Sequence, residues 1–261
     1  MKRAFLTVLS VACFLLTDGE THAQASENPG AATYNPLILA QIRTMPLLGG
    51  YSASHEATAR LRGSVALSSM GLNVAASAAQ PSYCSGATYL VFLKTVDALI
   101  HQGVIAPGDR DLAALLITGQ RDGEGVWGRW NANGPGTARL FYEMGLGRNF
   151  SDISLAQAGD FMKIWWSVEV GKRERGHSVI FLGTERVDGV DSVRFWSSNT
   201  GLGYGEKVVP RAKIKAALFS RLQVPQNLTR AAALSPRVDP YLARLLTTDS
   251  SVEQAKAASG L

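Results

Sequence analysis

The sequence predicts an α+β fold in which one long helix packs on an antiparallel sheet. Apolar residues recur at helical spacing from Cys84 to Gly103, so this segment is the clearest helix. Strand-like segments follow only later, from Phe161 onward. Two of them flank Val187-Asp188-Gly189-Val190, which is typical of a hairpin turn and therefore of antiparallel pairing. A run of helices followed by a run of strands favours α+β over an alternating α/β fold.

The composition is that of a globular protein with a core. Of 261 residues, 46% are hydrophobic and 18% are charged. These values exclude a disordered chain, a collagen-like repeat and a disulfide-stapled miniprotein. The net charge of +5 suits contact with an anionic wall or membrane surface. The basic residues are not clustered, so we expect no nucleic-acid partner.

The first 25 residues have the layout of a secretory signal peptide. Lys2 and Arg3 precede the mainly apolar run 4–16, and Ala23-Gln24-Ala25 is a small-x-small cleavage site. The apolar run is too short to span a membrane. We therefore expect residues 1–25 to be a signal peptide and the protein to be secreted, to the periplasm or outside the cell.

Export changes the meaning of the cysteine count. Cleavage after residue 25 removes Cys13 and leaves Cys84 as the one cysteine, so no internal disulfide can form. Cys84 is then a buried residue, half of an intermolecular bridge, or a working thiol. No later apolar segment is long enough for a membrane span, because Lys94 and Asp97 interrupt the best one. We expect no integral membrane segment after signal cleavage.

The remaining chain divides into three predicted parts. Residues 26–80 form an N-terminal helical extension, with a flexible leader at 26–34 and helices near 37–45 and 52–67. Residues 81–222 form the main domain, and 223–261 form a polar C-terminal tail with one helix near 240–246. Within the main domain we expect the helix from Cys84, an apolar segment at 112–117, a glycine-rich loop at 120–136, a helix at 137–145, strands at 161–168, 178–183 and 193–197, and a closing helix within 208–222 that starts at Pro210 and buries Ile214, Leu218 and Leu222.

Cys84 and His177 are the candidate catalytic pair. The N-terminus of a helix stabilises a thiolate, which is the nucleophilic form of cysteine. His177 opens a predicted strand, and a histidine beside the thiolate would complete an ion pair and later protonate the leaving group. A third group should orient the imidazole, and Ser197 and Asn199 share one face of the next strand. Asn199 is the stronger candidate, because its amide oxygen can accept the ring N–H.

Three motifs in this order carry a family resemblance. They are Cys84-Ser85-Gly86 at a helix start, Gly159-Asp160-Phe161, and Gly176-His177 leading into Val179-Ile180-Phe181-Leu182-Gly183. Together they resemble the NlpC/P60 cysteine peptidases, which belong to the papain-like group that includes the CHAP amidases. The resemblance spans roughly residues 80 to 205. Tyr83 stands where the family usually has an acidic residue, so the chain looks like a divergent member.

The resemblance implies a fold, a substrate and an activity. A papain-like, NlpC/P60-like domain places the nucleophile helix on an antiparallel sheet, here with extra N-terminal helices. Such an enzyme cleaves peptide or amide bonds in peptidoglycan stem peptides through an acyl-enzyme. By this resemblance Cys84 is the nucleophile, His177 is general base and acid, and Ser197 or Asn199 is the orienting residue. No metal or other cofactor is required.

Other interpretations stay open at this point. Trp127, Trp130 and Asn131, together with Tyr83, are our candidate substrate-binding residues, because aromatic faces stack on sugars and short peptides. The tryptophans could equally cover the core beneath a long loop. Asp160 is expected to cap or turn into the following strand. The function itself has two alternatives: a non-catalytic wall- or envelope-binding module that uses the tryptophan-bearing loop, and an amide acyltransferase.

Overall fold

The fold is described from a computed structural model for residues 33–261. The predicted signal peptide and nearly all of the predicted leader lie outside these described residues. Among the described residues, no helix is both long enough and apolar enough to cross a membrane.

The longer helices of the described chain precede residue 145, most strands of the large sheet lie between residues 147 and 222, and two short helices follow near the C-terminal end. The helices are α1 Asn35–Arg43, α2 His55–Gly63, α3 Cys84–His101, α4 Asp109–Ala114, α5 Gly125–Asn131, α6 Gly136–Met144, α7 Pro240–Arg244 and α8 Val252–Ala257. Short 3₁₀ helices cover Ala76–Ala79, Ile153–Leu155, Arg211–Lys213 and Pro225–Leu234. The strands are β1 Leu48–Gly49, β2 Val65–Ser68, β3 Gly71–Val74, β4 Gly147–Phe150, β5 Phe161–Trp165, β6 Glu169–Gly171, β7 His177–Val187, β8 Val190–Asn199, β9 Gly203–Pro210, β10 Ala216–Leu222 and β11 Asp249–Ser251.

A seven-stranded antiparallel sheet forms the centre of the fold, in the order β1-β9-β8-β7-β5-β10-β4. Two small sheets accompany it, the hairpin of β2 with β3 and the pair β6 with β11. The α+β class and the antiparallel sheet are thus confirmed. The turn between β7 and β8 is also as predicted, since Asp188 and Gly189 both have positive φ angles (48° and 81°), as a tight hairpin turn requires.

Helix α3 is buried along most of its length and packs against β7 and β8 of the large sheet. Its apolar residues join those of the neighbouring helices and strands in the main core. Tyr89, Leu90, Phe92 and Leu93 are among the α3 side chains with no exposed surface. Because the middle of the helix is fixed in this way, its first turn has a fixed place above the sheet.

The predicted closing helix within 208–222 is wrong. This segment is the end of β9, a 3₁₀ turn at Arg211–Lys213 and strand β10, which pairs with both β4 and β5. Ile214, Leu218 and Leu222 are spaced by four residues, and four is also a multiple of the strand period of two. That spacing therefore fits one face of a strand as well as one face of a helix.

The predicted glycine-rich loop at 120–136 is also wrong, because its middle forms α5. Gly128 lies inside this helix, where a Cβ atom would lie 2.1 Å from the carbonyl oxygen of Arg121. Here the glycine permits a close approach of two backbone segments, not a flexible loop. The second predicted helix at 52–67 is shorter than expected, since α2 ends at Gly63 and β2 follows.

The segments on either side of the main domain pack against it. Residues 26–80 contribute two helices as expected, but also β1, which extends the large sheet at β9, and the β2–β3 hairpin. Residues 223–261 contain the expected helix, α7, and the 3₁₀ helix Pro225–Leu234 places Leu228 and Leu234 in the main core. This C-terminal segment is therefore a packed part of the fold.

Asp160 has a structural position, as its sequence context predicts. Its carboxylate accepts the backbone N–H of Gln157 at 2.8 Å, which closes the turn before β5. It also forms a two-pronged ion pair with Arg221 at 2.8 and 2.7 Å and accepts a hydrogen bond from Asn35. The turn is thereby tied to β10 and to α1.

Candidate active site

Cys84 is the first residue of α3. Tyr83 before it is extended, and the first intrahelical hydrogen bond runs from the N–H of Ala87 to the carbonyl of Tyr83 at 2.9 Å. The N–H groups at the start of a helix have no intrahelical acceptor and carry its positive dipole end. The sequence therefore places the thiol where backbone geometry favours a negative charge.

His177 is the first residue of β7, and the left-handed Gly176 (φ 79°) precedes it. Its ring lies between two aromatic rings, with centroid distances of 5.7 Å to Phe195 and 6.4 Å to Trp166. The imidazole lies beside the Cys84 thiol, close enough for its charge and its ring nitrogen to act on the sulfur. The predicted nucleophile and base, 93 residues apart in the chain, are thus brought into contact.

The surroundings of Cys84 lower the pKa of its thiol from 9.0 to about 6. Burial alone raises that pKa, but four effects together outweigh it. The charge and hydrogen bond of His177 are the largest, followed by the charge of Lys163 and a hydrogen bond from the backbone N–H of Ser178. A thiol with this pKa is mostly thiolate at neutral pH, which is the reactive form.

Asn199 is the side chain that contacts the far side of the His177 ring. The ring Nε2–H donates to Asn199 Oδ1 at 3.4 Å. Asn199 is buried, and its amide group donates to the carbonyls of Gly205 at 2.9 Å and Ser197 at 3.3 Å. These two bonds fix which end of the amide faces the ring, so the oxygen is presented to the imidazole.

Ser197 does not reach the histidine. Its hydroxyl is completely buried and donates to the backbone carbonyl of Ser178 at 2.7 Å. The alternation of β8 does place Ser197 and Asn199 on one face, as predicted, but only Asn199 lies far enough along the strand to meet His177. Of the two predicted orienting residues, the geometry places Asn199 at the ring.

Trp127 and Trp130 line the core and not a groove. Trp130 has no exposed surface, stacks on Phe92 with ring centroids 4.7 Å apart, and donates from Nε1 to the carbonyl of Ser85 at 3.1 Å. Trp127 is 3% exposed and lies 4.9 Å from the ring of Tyr89. Their assignment to substrate binding is therefore wrong, because α5 turns both indoles towards α3.

Asn131 and Tyr83 lie at the start of α3, beside Cys84. Asn131 Oδ1 accepts a hydrogen bond from the hydroxyl of Ser85, the residue after Cys84, at 2.7 Å. Tyr83 is buried, its hydroxyl lies 3.2 Å from that of Thr58, and burial raises its pKa to about 12. Together with Trp130, these residues hold the first turn of α3. Their positions fit a role in supporting Cys84 better than a role in contacting a substrate.

Three charged or polar residues near the site were missed in the sequence. Lys163 lies within β5 and is 4% exposed, with its charge near Cys84. Asp122 accepts the N–H of Asn133 at 3.3 Å, and burial raises its pKa. Tyr51 lies close enough to Cys84 for the two charges to interact, and burial is the main cause that raises its pKa to about 12. Of these three residues, only Lys163 could have been noticed in the sequence, because it is the one charged residue inside the apolar stretch Phe161-Met162-Lys163-Ile164-Trp165.

Comparisons of the chain with protein-family models, with curated proteins and with solved structures found no match. The chemistry of the site therefore has to be argued from its own geometry.

Proposed function

We propose that this chain is a secreted cysteine hydrolase that cleaves peptide or amide bonds, with peptidoglycan stem peptides as the substrate class. The observation that carries the proposal is the contact between Cys84 at a helix N-terminus and His177, with Asn199 on the far side of the ring. The arrangement supports a papain-like domain, divergent from NlpC/P60 enzymes. The signal-like residues 1–25 support export.

Each residue has one task in the proposed reaction. The Cys84 thiolate attacks the carbonyl carbon of the scissile bond, and backbone N–H groups at the start of α3 stabilise the oxyanion that forms. His177 then gives its proton to the nitrogen of the leaving amine as the C–N bond breaks, which leaves a thioester on Cys84. Water, deprotonated by His177, attacks the thioester; the C–S bond breaks and a carboxylic acid and the thiolate are released.

Asn199 keeps the imidazole in the state this sequence of steps needs. Its oxygen accepts the Nε2–H, so the other ring nitrogen, Nδ1, is the one that exchanges a proton with sulfur, amine and water. The aromatic rings of Phe195 and Trp166 limit rotation of the ring about its axis. The ring is thus held at the thiol.

The test is digestion of purified peptidoglycan by the chain without residues 1–25. We expect soluble fragments whose masses show the gain of one water per cut, none with Cys84→Ala, and normal release with His101→Ala, which changes an exposed histidine at the other end of α3. Binding of the wall without fragments from the unsubstituted protein would contradict the hydrolase and support the binding module.

The same digestion separates hydrolysis from acyl transfer. A thioester can be attacked by water or by an amine, so hydroxylamine is added in excess. Capture of hydroxamates shows that a thioester forms, and fragments that end in free carboxylic acids when hydroxylamine is absent support hydrolysis as the ordinary outcome. Products in which one stem peptide is joined to another in its absence would support the acyltransferase and contradict the hydrolase. The binding module has less support, because the tryptophans on which it depended are buried.

A further inference from the structure

Lys163 is a buried lysine that the reaction described above does not use. It occupies the middle of β5, between Phe161 and Trp165 on the same face of the strand, and it is 4% exposed. Lysine is almost never buried this deeply without a partner, because removing an ammonium ion from water costs several kcal/mol. An explanation is therefore needed for its charge.

The neighbouring backbone leaves room for the ammonium group. Gly176, directly before His177, lies against the lysine, and a Cβ at that position would be 2.6 Å from Lys163 Cε. Any larger residue at 176 would push the side chain away. The glycine that precedes His177 therefore also leaves room for the side chain of Lys163.

The hydrogen-bond partners of Lys163 are neutral. Its Nζ lies 3.4 Å from the hydroxyl of Ser178 and 3.4 Å from the carbonyl of Ala132, and both contacts are long for a charged donor. Among the described residues, no carboxylate forms a salt bridge with Lys163. Within the described part of the chain, the charge of Lys163 is therefore not neutralised by a salt bridge to a carboxylate.

Of the acidic groups whose charge attracts Lys163, the Cys84 thiol acts most strongly. Ser178 contacts both groups: its backbone N–H donates to Cys84 and its hydroxyl faces Lys163. The attraction between Lys163 and Cys84 favours the charged form of each, against burial, which lowers the pKa of the lysine. Asp122 and Glu174 add weaker attraction from the other side.

We propose that Lys163 is a second positive partner of the Cys84 thiolate and acts beside His177 as a positioning residue for the nucleophile. The inference rests on the proposed role of Cys84. Its consequence concerns the breakdown of the thioester. When the C–S bond breaks, His177 carries the proton taken from water, and Lys163 adds a second positive charge that stabilises the leaving thiolate.

The test measures the rate of Cys84 alkylation by iodoacetamide against pH. We expect Lys163→Met to move the midpoint of this profile upward by about one unit, at the lower end of the range for loss of a nearby opposite charge. Lys172→Met removes the same charge from an exposed position and should leave the midpoint unchanged. The groups that face Cys84 from the surrounding elements are His177, Lys163, Tyr51 and Tyr83, and those that face Lys163 are Cys84, Asp122 and Glu174.

A midpoint that Lys163→Met leaves in place would overturn the inference. A second measurement uses the protein without the histidine: adding Lys163→Met to His177→Ala should raise the midpoint further, because Lys163 is the positive charge that remains near Cys84. Equal midpoints in His177→Ala and the double variant would also count against Lys163. If instead the unsubstituted protein itself titrates near 9.0, the nucleophile assignment fails, which is a distinct result.

Discussion

The pH dependence of Cys84 alkylation tests the site most directly, since it needs no knowledge of the substrate. A pKa lowered from 9.0 to about 6 makes the thiol about 90% ionised at pH 7, against about 1% for an ordinary thiol. A less basic thiolate is a weaker nucleophile, and three units of pKa reduce its intrinsic rate about 20-fold. The net gain at pH 7 is only about fivefold. The midpoint of the profile, and not the rate at one pH, is therefore the quantity to measure.

Removal of His177 should shift that midpoint. His177 supplies both the largest favourable charge and a side-chain hydrogen bond to Cys84, so we expect His177→Ala to raise the midpoint by about 2 units, to about 8. His101→Ala removes an exposed histidine from the opposite end of α3 and should leave it near 6. Alkylation is followed by intact-protein mass spectrometry from pH 4.5 to 9.5. A midpoint above 8 in the unsubstituted protein, or a midpoint that His177→Ala leaves unchanged, would refute the ion pair between Cys84 and His177.

Two further predictions concern the orienting residue and the buried ion pair. Asn199→Ala should lower peptidoglycan turnover about tenfold, because it removes the acceptor of the His177 Nε2–H. Ser197→Ala is the control: it changes a hydroxyl that donates to a backbone carbonyl and should leave turnover within about twofold. Equal losses of turnover in the two variants would contradict the assignment of Asn199. Asp160→Asn should reduce the free energy of unfolding in urea by about 3 kcal/mol, because it leaves the guanidinium of Arg221 without its buried partner, and the Cys84 alkylation midpoint should not change. A loss below about 1 kcal/mol would show that water compensates the pair.

The sequence was informative where local pattern decides structure. The helix from Cys84 and the turn at Asp188-Gly189 both follow from short-range rules, and both formed as predicted. The candidate pair of Cys84 and His177 was also visible in the sequence, because a lone cysteine at a helix start and a histidine at a strand start can each be read from local pattern. Asn199 followed from the period of two along β8, although the register that brings it to His177 did not.

The errors arise where a pattern has two solutions or where partners come from distant segments. Leu218 and Leu222 fit a helix face and a strand face equally, and only pairing of β10 with β4 and β5 decides between them. Trp130 was assigned to a groove because aromatic faces stack on sugars and short peptides and because its segment was predicted to be a loop. Its burial depends on α3, more than 25 residues away in the chain, which no local pattern reports.

The buried tryptophan still bears on the chemistry through the helix that it holds. Trp130 donates to the carbonyl of Ser85, and Asn131 accepts from the Ser85 hydroxyl. Two consecutive residues of α5 therefore hold Ser85, the residue directly after Cys84, in place. In the proposed reaction, the N–H groups that stabilise the oxyanion belong to this same turn. Their usefulness would depend on placement before the substrate arrives, because donors that must reorganise during a reaction lose most of their effect. Under this proposal, Trp130 and Asn131 act from behind the first turn of α3, by keeping Cys84 and its backbone donors in place.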